Sequence, residues 1–480
     1  MNFKIIYLQY IILYIYLSVT ACSNEKLIAT NAQEQKKPCD CAKSYNELVE
    51  KLELNYIGLA LIRNTKKHQE YETLKKIFAS QSNHQTESSC TQFLMKFLSF
   101  FEDGHLYVLE YPKHKKESLE KQQFFLSKYK KTGKEINEML LDTSDVLVGK
   151  WSDGESVFAI VKNDTLLDGY LIGSTMKNVE IGNLKLRLSK TSSGYEGTYY
   201  PYDFNTKYVR AYLYKENNLL KLIMGGSKRW VRSKDEKIIS YIKEPKITKI
   251  NNTHTVLTIP SFSVNFKDFQ KFLKKNKKII NKTEHLIIDI RGNTGGNTIY
   301  FPLIKFFGTN TLTSKPGYVL ASSDNKAYFK KFIGFFGWSK VYSPLLKRMI
   351  KNGEIVDGPK YTDRKFKEIK NNIERVSILT DNGCMSASES FILHAKGASK
   401  KVMTFGTPTG GMIDYTSTNS IPLKHSGSQN ILFRYPTGTL HKDVLENGFN
   451  KKGIIPDIYT PSSTSNLIQF VINHYNNINP

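Results

Sequence analysis

The run Leu286-Ile287-Ile288-Asp289-Ile290-Arg291-Gly292-Asn293-Thr294-Gly295-Gly296 constrains this chain most. Leu286–Ile290 reads as a buried strand, and it ends abruptly in a polar, glycine-rich turn. Glycines let backbone N–H groups approach a ligand and point at developing negative charge. No Gly-Lys-Ser/Thr follows, so the turn is not a nucleotide loop. Around it strands and helices alternate. Thr255–Ile259 and Val376–Thr380 are strand-like, Phe266–Ile280 reads as a basic helix, and a further helix is expected from about Ser386 to Ala398. Residues 245–480 therefore read as an α/β domain with its chemistry at strand C-termini.

A second stretch has the same form: Ile378-Leu379-Thr380-Asp381-Asn382-Gly383-Cys384-Met385-Ser386-Ala387-Ser388-Glu389. A strand, a tight turn and a Ser at a helix start expose a hydroxyl. They also leave the next backbone N–H free and point the helix dipole at an oxyanion. Taken alone, Ser386 or Ser388 reads first as a helix N-cap.

Taken together and in order, the two stretches resemble the catalytic domain of the tail-specific (C-terminal processing) serine peptidases and their tricorn-type relatives. Phe405-Gly406-Thr407-Pro408-Thr409-Gly410-Gly411 and Lys452-Gly453-Ile454-Ile455-Pro456-Asp457-Ile458 extend the match over about residues 245–465. The resemblance implies a crotonase-like ββα-superhelix fold, peptide-bond hydrolysis by Ser386, and an oxyanion hole from the N–H groups of Ala387 and the Gly295-Gly296 turn. It implies a peptide or protein substrate, and no metal or organic cofactor.

The base departs from the Ser–Lys branch of that family. Its Lys position falls on Met412, whose thioether cannot accept a proton from a hydroxyl; Lys424 lies out of register. The tricorn-type branch uses a His from an N-terminal segment, and Phe100-Phe101-Glu102-Asp103-Gly104-His105-Leu106 resembles that segment. A neutral imidazole suits the role near pH 7, so His105 is the expected base. Gly104 stands where that branch has a relay Ser. For the supporting carboxylate, Glu446 is the first candidate. Asn450, three residues before Gly453 where a Glu is expected, is the second, since an Asn also orients an imidazole.

The remaining chain reads as an N-terminal address and two further domains. Ile5–Val19 is almost wholly apolar and too short to span a bilayer comfortably. It ends in Val19-Thr20-Ala21-Cys22, which resembles the lipobox of bacterial lipoproteins. That implies a signal peptide over 1–21, a lipid anchor on Cys22, a tether over 22–40, and a place in the cell envelope outside the cytoplasm. Residues 41–140 read as a helical domain carrying the His segment. Residues 145–240 show short β-prone runs between turn signals, which predicts a small antiparallel barrel or sandwich. In an oxidising compartment Cys90 is expected to pair with Cys39 or Cys41. The insert 325–342 interleaves aromatic and basic residues, as a cleft lid or as an amphipathic helix packed on the domain.

Lys and Arg total 69 against 44 Asp and Glu, a net charge of +25, but the basic residues are spread along the chain. With export, this argues against nucleic acid as the partner. The sequence does not decide the oligomeric state. A binding lipoprotein that keeps the fold without hydrolysis is the competing reading.

Overall fold

The strand His285–Asp289 lies at the centre of a six-stranded sheet. The order is Lys246–Lys249, His254–Thr258, His285–Asp289, Arg375–Thr380, Val402–Gly406 and Ile458–Tyr459; the first pair is antiparallel and the others are parallel. Side chains alternate across a strand. Leu286, Ile288 and Ile290 therefore join one core with Phe269, Leu273, Phe391 and Ile392 of the flanking helices. Ile287 faces the other way, with Val256, Leu379 and Phe405, onto the C-terminal helix Leu467–Ile478. Covering on both faces is what the unbroken apolar run requires. The computed structural model describes residues 39–480 except 111–128, 177–178, 192–193, 201–206, 217–218, 225–227, 234–243, 314–315, 335–337, 361–362, 368, 451, 462–463, 465 and 479–480. The signal segment 1–21, Cys22 and nearly all of the tether lie outside the described residues.

The N-terminal helices Cys41–Asn55, Ile57–Ile62, Lys66–Ser82 and Glu87–Leu98 bury Tyr45, Leu48, Leu52, Tyr71 and Phe97. That core is shared with Leu423, Ile431, Phe433 and Tyr435 from the far end of the chain. The strand Tyr107–Glu110 seals the join. It pairs antiparallel with Ile431–Thr439, Tyr107 opposite Arg434 and Glu110 opposite Ile431. Tyr415–Pro422, Tyr318–Leu320 and Ile355–Asp357 complete this second sheet. Of the two partners open to Cys90, the structure joins Cys41, linking the first helix to the fourth; Cys39 stands outside the bridge.

Residues 149–232 form a closed antiparallel barrel of eight strands, sealed where Trp151 pairs with Arg232. Its interior is filled by side chains, with Phe158 and Trp230 stacked 4.0 Å apart among Leu167, Leu171, Leu186 and Leu188. Pro38–Pro480 form one compact unit. Among the described residues no helix is long and apolar enough to cross a membrane. In the insert, helices Ser323–Lys330 and Ser339–Arg348 build a core of their own from Phe329, Tyr342, Leu345 and Met349 against Val319 and Val356. Trp338 stays 39% exposed; Phe335 and Phe336 lie outside the described residues.

One His–Ser pair lies inside this scaffold. His285 Nε2 and Ser377 Oγ are 2.8 Å apart, both buried in neighbouring central strands with no access for a substrate. Burial, with His254 and Arg375 nearby, holds the His285 pKa down at about 3. The folded chain keeps this imidazole neutral while the unfolded chain protonates it near pH 6.5. Its contribution to stability is thus intact above about pH 6.5 and falls as pH drops toward 3, by up to about 1.4 kcal/mol per pH unit. Thermal melts between pH 7 and 5 should show this slope, and His285→Gln should flatten it by one proton. Peptide mapping without reduction should recover Cys41 joined to Cys90, and Cys90→Ala should lose roughly 2–4 kcal/mol in denaturant titration.

Candidate active site

The two motif turns are stitched together by buried hydrogen bonds. Asp381, at the end of strand Arg375–Thr380, accepts the N–H of Gly292 at 2.7 Å and of Gly383 at 3.0 Å through Oδ1. Asn293 O accepts the Met385 N–H at 3.1 Å and the Ser388 hydroxyl at 2.7 Å. Ser388 is thereby buried and occupied, which separates it from Ser386 as a candidate nucleophile. Ser386 is half-buried at the start of helix Ala387–Ala398, with φ 55° and ψ −116°. A non-glycine residue held at positive φ is strained, and such strain persists only where its surroundings over-determine it.

Gly295 supplies part of that determination. At φ +98°, a Cβ on it would lie 2.6 Å from Met385 O and 2.8 Å from Ala387 N, so only glycine lets the turn close on the nucleophile. Its own N–H donates to Asn293 Oδ1 at 2.9 Å. That modifies the expected oxyanion hole, because the Gly295 donor is already engaged. The N–H groups of Ala387 and of exposed Gly296 have no hydrogen-bond partner among the described residues. Asn293, fully buried and anchored through Nδ2 to Ile259 O, fixes the turn. It had no signal beyond its place in the motif.

Glu389 is the buried centre of the site. Oε2 accepts the N–H of Ser386 at 2.9 Å and of Met412 at 2.8 Å; Oε1 accepts the Thr409 hydroxyl at 2.6 Å and the Gly411 N–H at 2.9 Å. Burial raises its pKa and the four donors oppose that rise. The carboxylate thus clamps loop 409–412 onto the nucleophile turn. Met412 then reaches the His segment: a Cβ on Gly104 would come within 2.3 Å of Met412 Cε. The two departures from the resembled families are complementary, since the thioether occupies the space that a side chain at position 104 would need.

His105 is half-buried in the turn before strand Tyr107–Glu110. Its N–H donates to Asp103 Oδ1 at 2.8 Å, and its Nδ1 lies 3.9 Å from the same oxygen. Of the two candidates for supporting it, Asn450 is brought against the segment, donating to Glu102 O at 3.1 Å. Asn450 is fixed in turn by Asp414, which accepts its N–H at 2.6 Å. Glu446 is exposed on the turn Val444–Asn447, its carboxylate without a hydrogen bond or ion pair among the described residues. Of the two, it is Asn450 and not Glu446 that makes a hydrogen bond to the His segment among the described residues. Lys424 is exposed against Glu47 of the first helix. A cavity of about 430 Å³ opens at the C-terminal edge of the central sheet, bordered by Arg291, Asp381, Asn382, Thr409 and Lys452.

Around Ser386 the fold gathers a strained helix start, backbone N–H groups and the loop that carries Met412 to the His segment; the domain that holds them is that of a serine-type peptidase. Residues 254–460 match the model of peptidase family S41. No curated protein matches the chain. Among solved structures, the chain is similar to a mutant of CPAF at 12% identity and TM-score 0.49, covering 88% of this chain and 93% of that one. It is also similar to the photosystem II D1 C-terminal processing protease, at 12% identity and TM-score 0.38, over 89% of this chain and 95% of that one. The tricorn protease aligns at 13% identity and TM-score 0.36, over 91% of this chain and 36% of that one.

Glu389→Ala would leave the Ser386, Gly411 and Met412 N–H groups buried around a void. Each unsatisfied donor costs about 1–3 kcal/mol, so the variant should melt well below the wild type, with peptidase activity lost in parallel. Glu389→Gln should recover part of the stability, because an amide oxygen still accepts on one side.

Proposed function

We propose that the protein is an exported, lipid-anchored serine endopeptidase, with Ser386 as nucleophile and His105 as general base. In this reading the Ser386 hydroxyl attacks the carbonyl of an extended peptide. His105 takes the hydroxyl proton and returns it to the leaving amine. The N–H groups of Ala387 and Gly296 receive the oxyanion at the positive end of helix Ala387–Ala398. The observation that carries the reading is the Glu389 clamp, which ties the Ser386 N–H and the Met412 N–H to one carboxylate while the Met412 side chain packs on Gly104, next to His105. Export and anchoring rest on the Ala21-Cys22 lipobox-like sequence; Cys22→Ala should leave the protein unprocessed or release it to soluble fractions, and should abolish palmitate labelling.

Peptide hydrolysis by Ser386→Ala, His105→Ala and the double variant tests the chemistry. Either single change should cost about as much as both, since the pair acts as a unit. The wild-type profile should carry an acid limb near pH 6–7, set by an imidazole of ordinary pKa about 6.5. A His105→Ala variant with near wild-type turnover would overturn the base assignment. Failure of a fluorophosphonate probe to label wild type would overturn the nucleophile.

A further inference from the structure

We propose that Asp103 is the positioning residue for His105, performing from within the same turn the task for which the C-terminal segment offers only Asn450 and Glu446. The inference rests on the reading of His105 as the base. Asp103 is 4% exposed and held from both sides. Oδ1 accepts the His105 N–H at 2.8 Å, and Oδ2 accepts the Tyr56 hydroxyl at 3.0 Å. Tyr56 is itself buried, edge-on to Phe101 at 5.2 Å and beside Tyr415. Burial first, and Asp103 second, raise the Tyr56 pKa well above its ordinary value, so its hydroxyl stays a donor.

The carboxylate therefore cannot swing away, and it faces Nδ1 of the ring at 3.9 Å. That is beyond hydrogen-bond reach but within the range at which an opposite charge stabilises an imidazolium. Catalytic contacts are often long in the absence of substrate and tighten when it binds. With Nδ1 turned to a carboxylate, Nε2 is the nitrogen to which the proposed reading assigns the proton transfer. Asn450 is neutral and its amide is already given to Glu102 O, so it can hold the segment but cannot offset a positive ring. Among the described residues the other charged or titratable groups on the surrounding elements include Glu102 in the turn, Tyr56, Tyr415, Asp414 beneath Asn450 with His441 and Lys452 near it, Glu389 beyond Met412, and Arg434 opposite Tyr107. All of them are retained when Asp103 alone is changed.

The test is an NMR titration of isotope-labelled histidine in the full chain, with His105 assigned by its loss in His105→Gln. Asp103→Asn keeps the acceptor for the His105 N–H and removes only the charge. It should lower the His105 pKa by about 1 unit, move the acid limb of kcat/KM to lower pH by the same amount, and reduce kcat at least about tenfold with little change in KM. Asp103→Glu should return the His105 pKa to within a few tenths of the wild-type value. If Asp103→Asn does not fold, Asp103→Ser, which can still accept that N–H, should show the same shift. A His105 pKa equal in wild type and in the charge-removed variant overturns the positioning role. If hydrolysis is also lost in His105→Gln, the base assignment survives that result. If His105→Gln hydrolyses peptides normally, the assignment falls, whatever the titration shows.

Discussion

One buried carboxylate organises the turn around Ser386. Glu389 sits in the first turn of its helix, where a negative charge is favoured by the dipole, and accepts four hydrogen bonds from two chain segments. An ionised group buried in this way would be costly if any donor were missing. Because all four are in place, the cost becomes a constraint. Ser386 is kept in its strained backbone state, and the loop carrying Met412 is kept in register with it. The Gly295 turn then closes over the pair, where the Cβ of any other residue would meet backbone atoms.

What the sequence made legible follows from the range of the forces involved. The strand Leu286–Ile290, its glycine turn and the Ser386 helix start are local patterns, and each folds as its own residues dictate. The Gly194–Tyr199 and Lys228–Arg232 strands of the barrel carried no comparable signal, because they are short, polar on one side, and made into strands by their neighbours. The sheet built on Ile431–Thr439 was equally silent: its partners come from residues 107–110, 318–320 and 415–422, a pairing that no local pattern encodes. Asn450 is singled out by its distance in sequence from Gly453, and Glu446 only as a carboxylate four residues before it. Asp103, two residues from His105, was read only as part of a turn, because its burial and its bond to Tyr56 arise from tertiary packing.

The His–Ser contact between His285 and Ser377 shows why residue type and distance alone do not define a site. Its hydrogen bond is well formed at 2.8 Å, yet its imidazole is held neutral by burial and it is almost closed to solvent. What Ser386 has is a half-buried place at a helix start, backbone donors beside it, and a rigid carboxylate behind it.

The pairing of Tyr107–Glu110 with Ile431–Thr439 has a temporal consequence. Asn450 and Glu102, which meet at 3.1 Å, are 348 residues apart in the chain. During synthesis the His105 turn leaves the ribosome long before the strand that seats it exists. Until residue 439 has emerged and paired, the emerging polypeptide carries its imidazole and its hydroxyl on separate, unjoined pieces. On the proposed reading of Ser386 and His105, hydrolytic competence is deferred until that strand has paired.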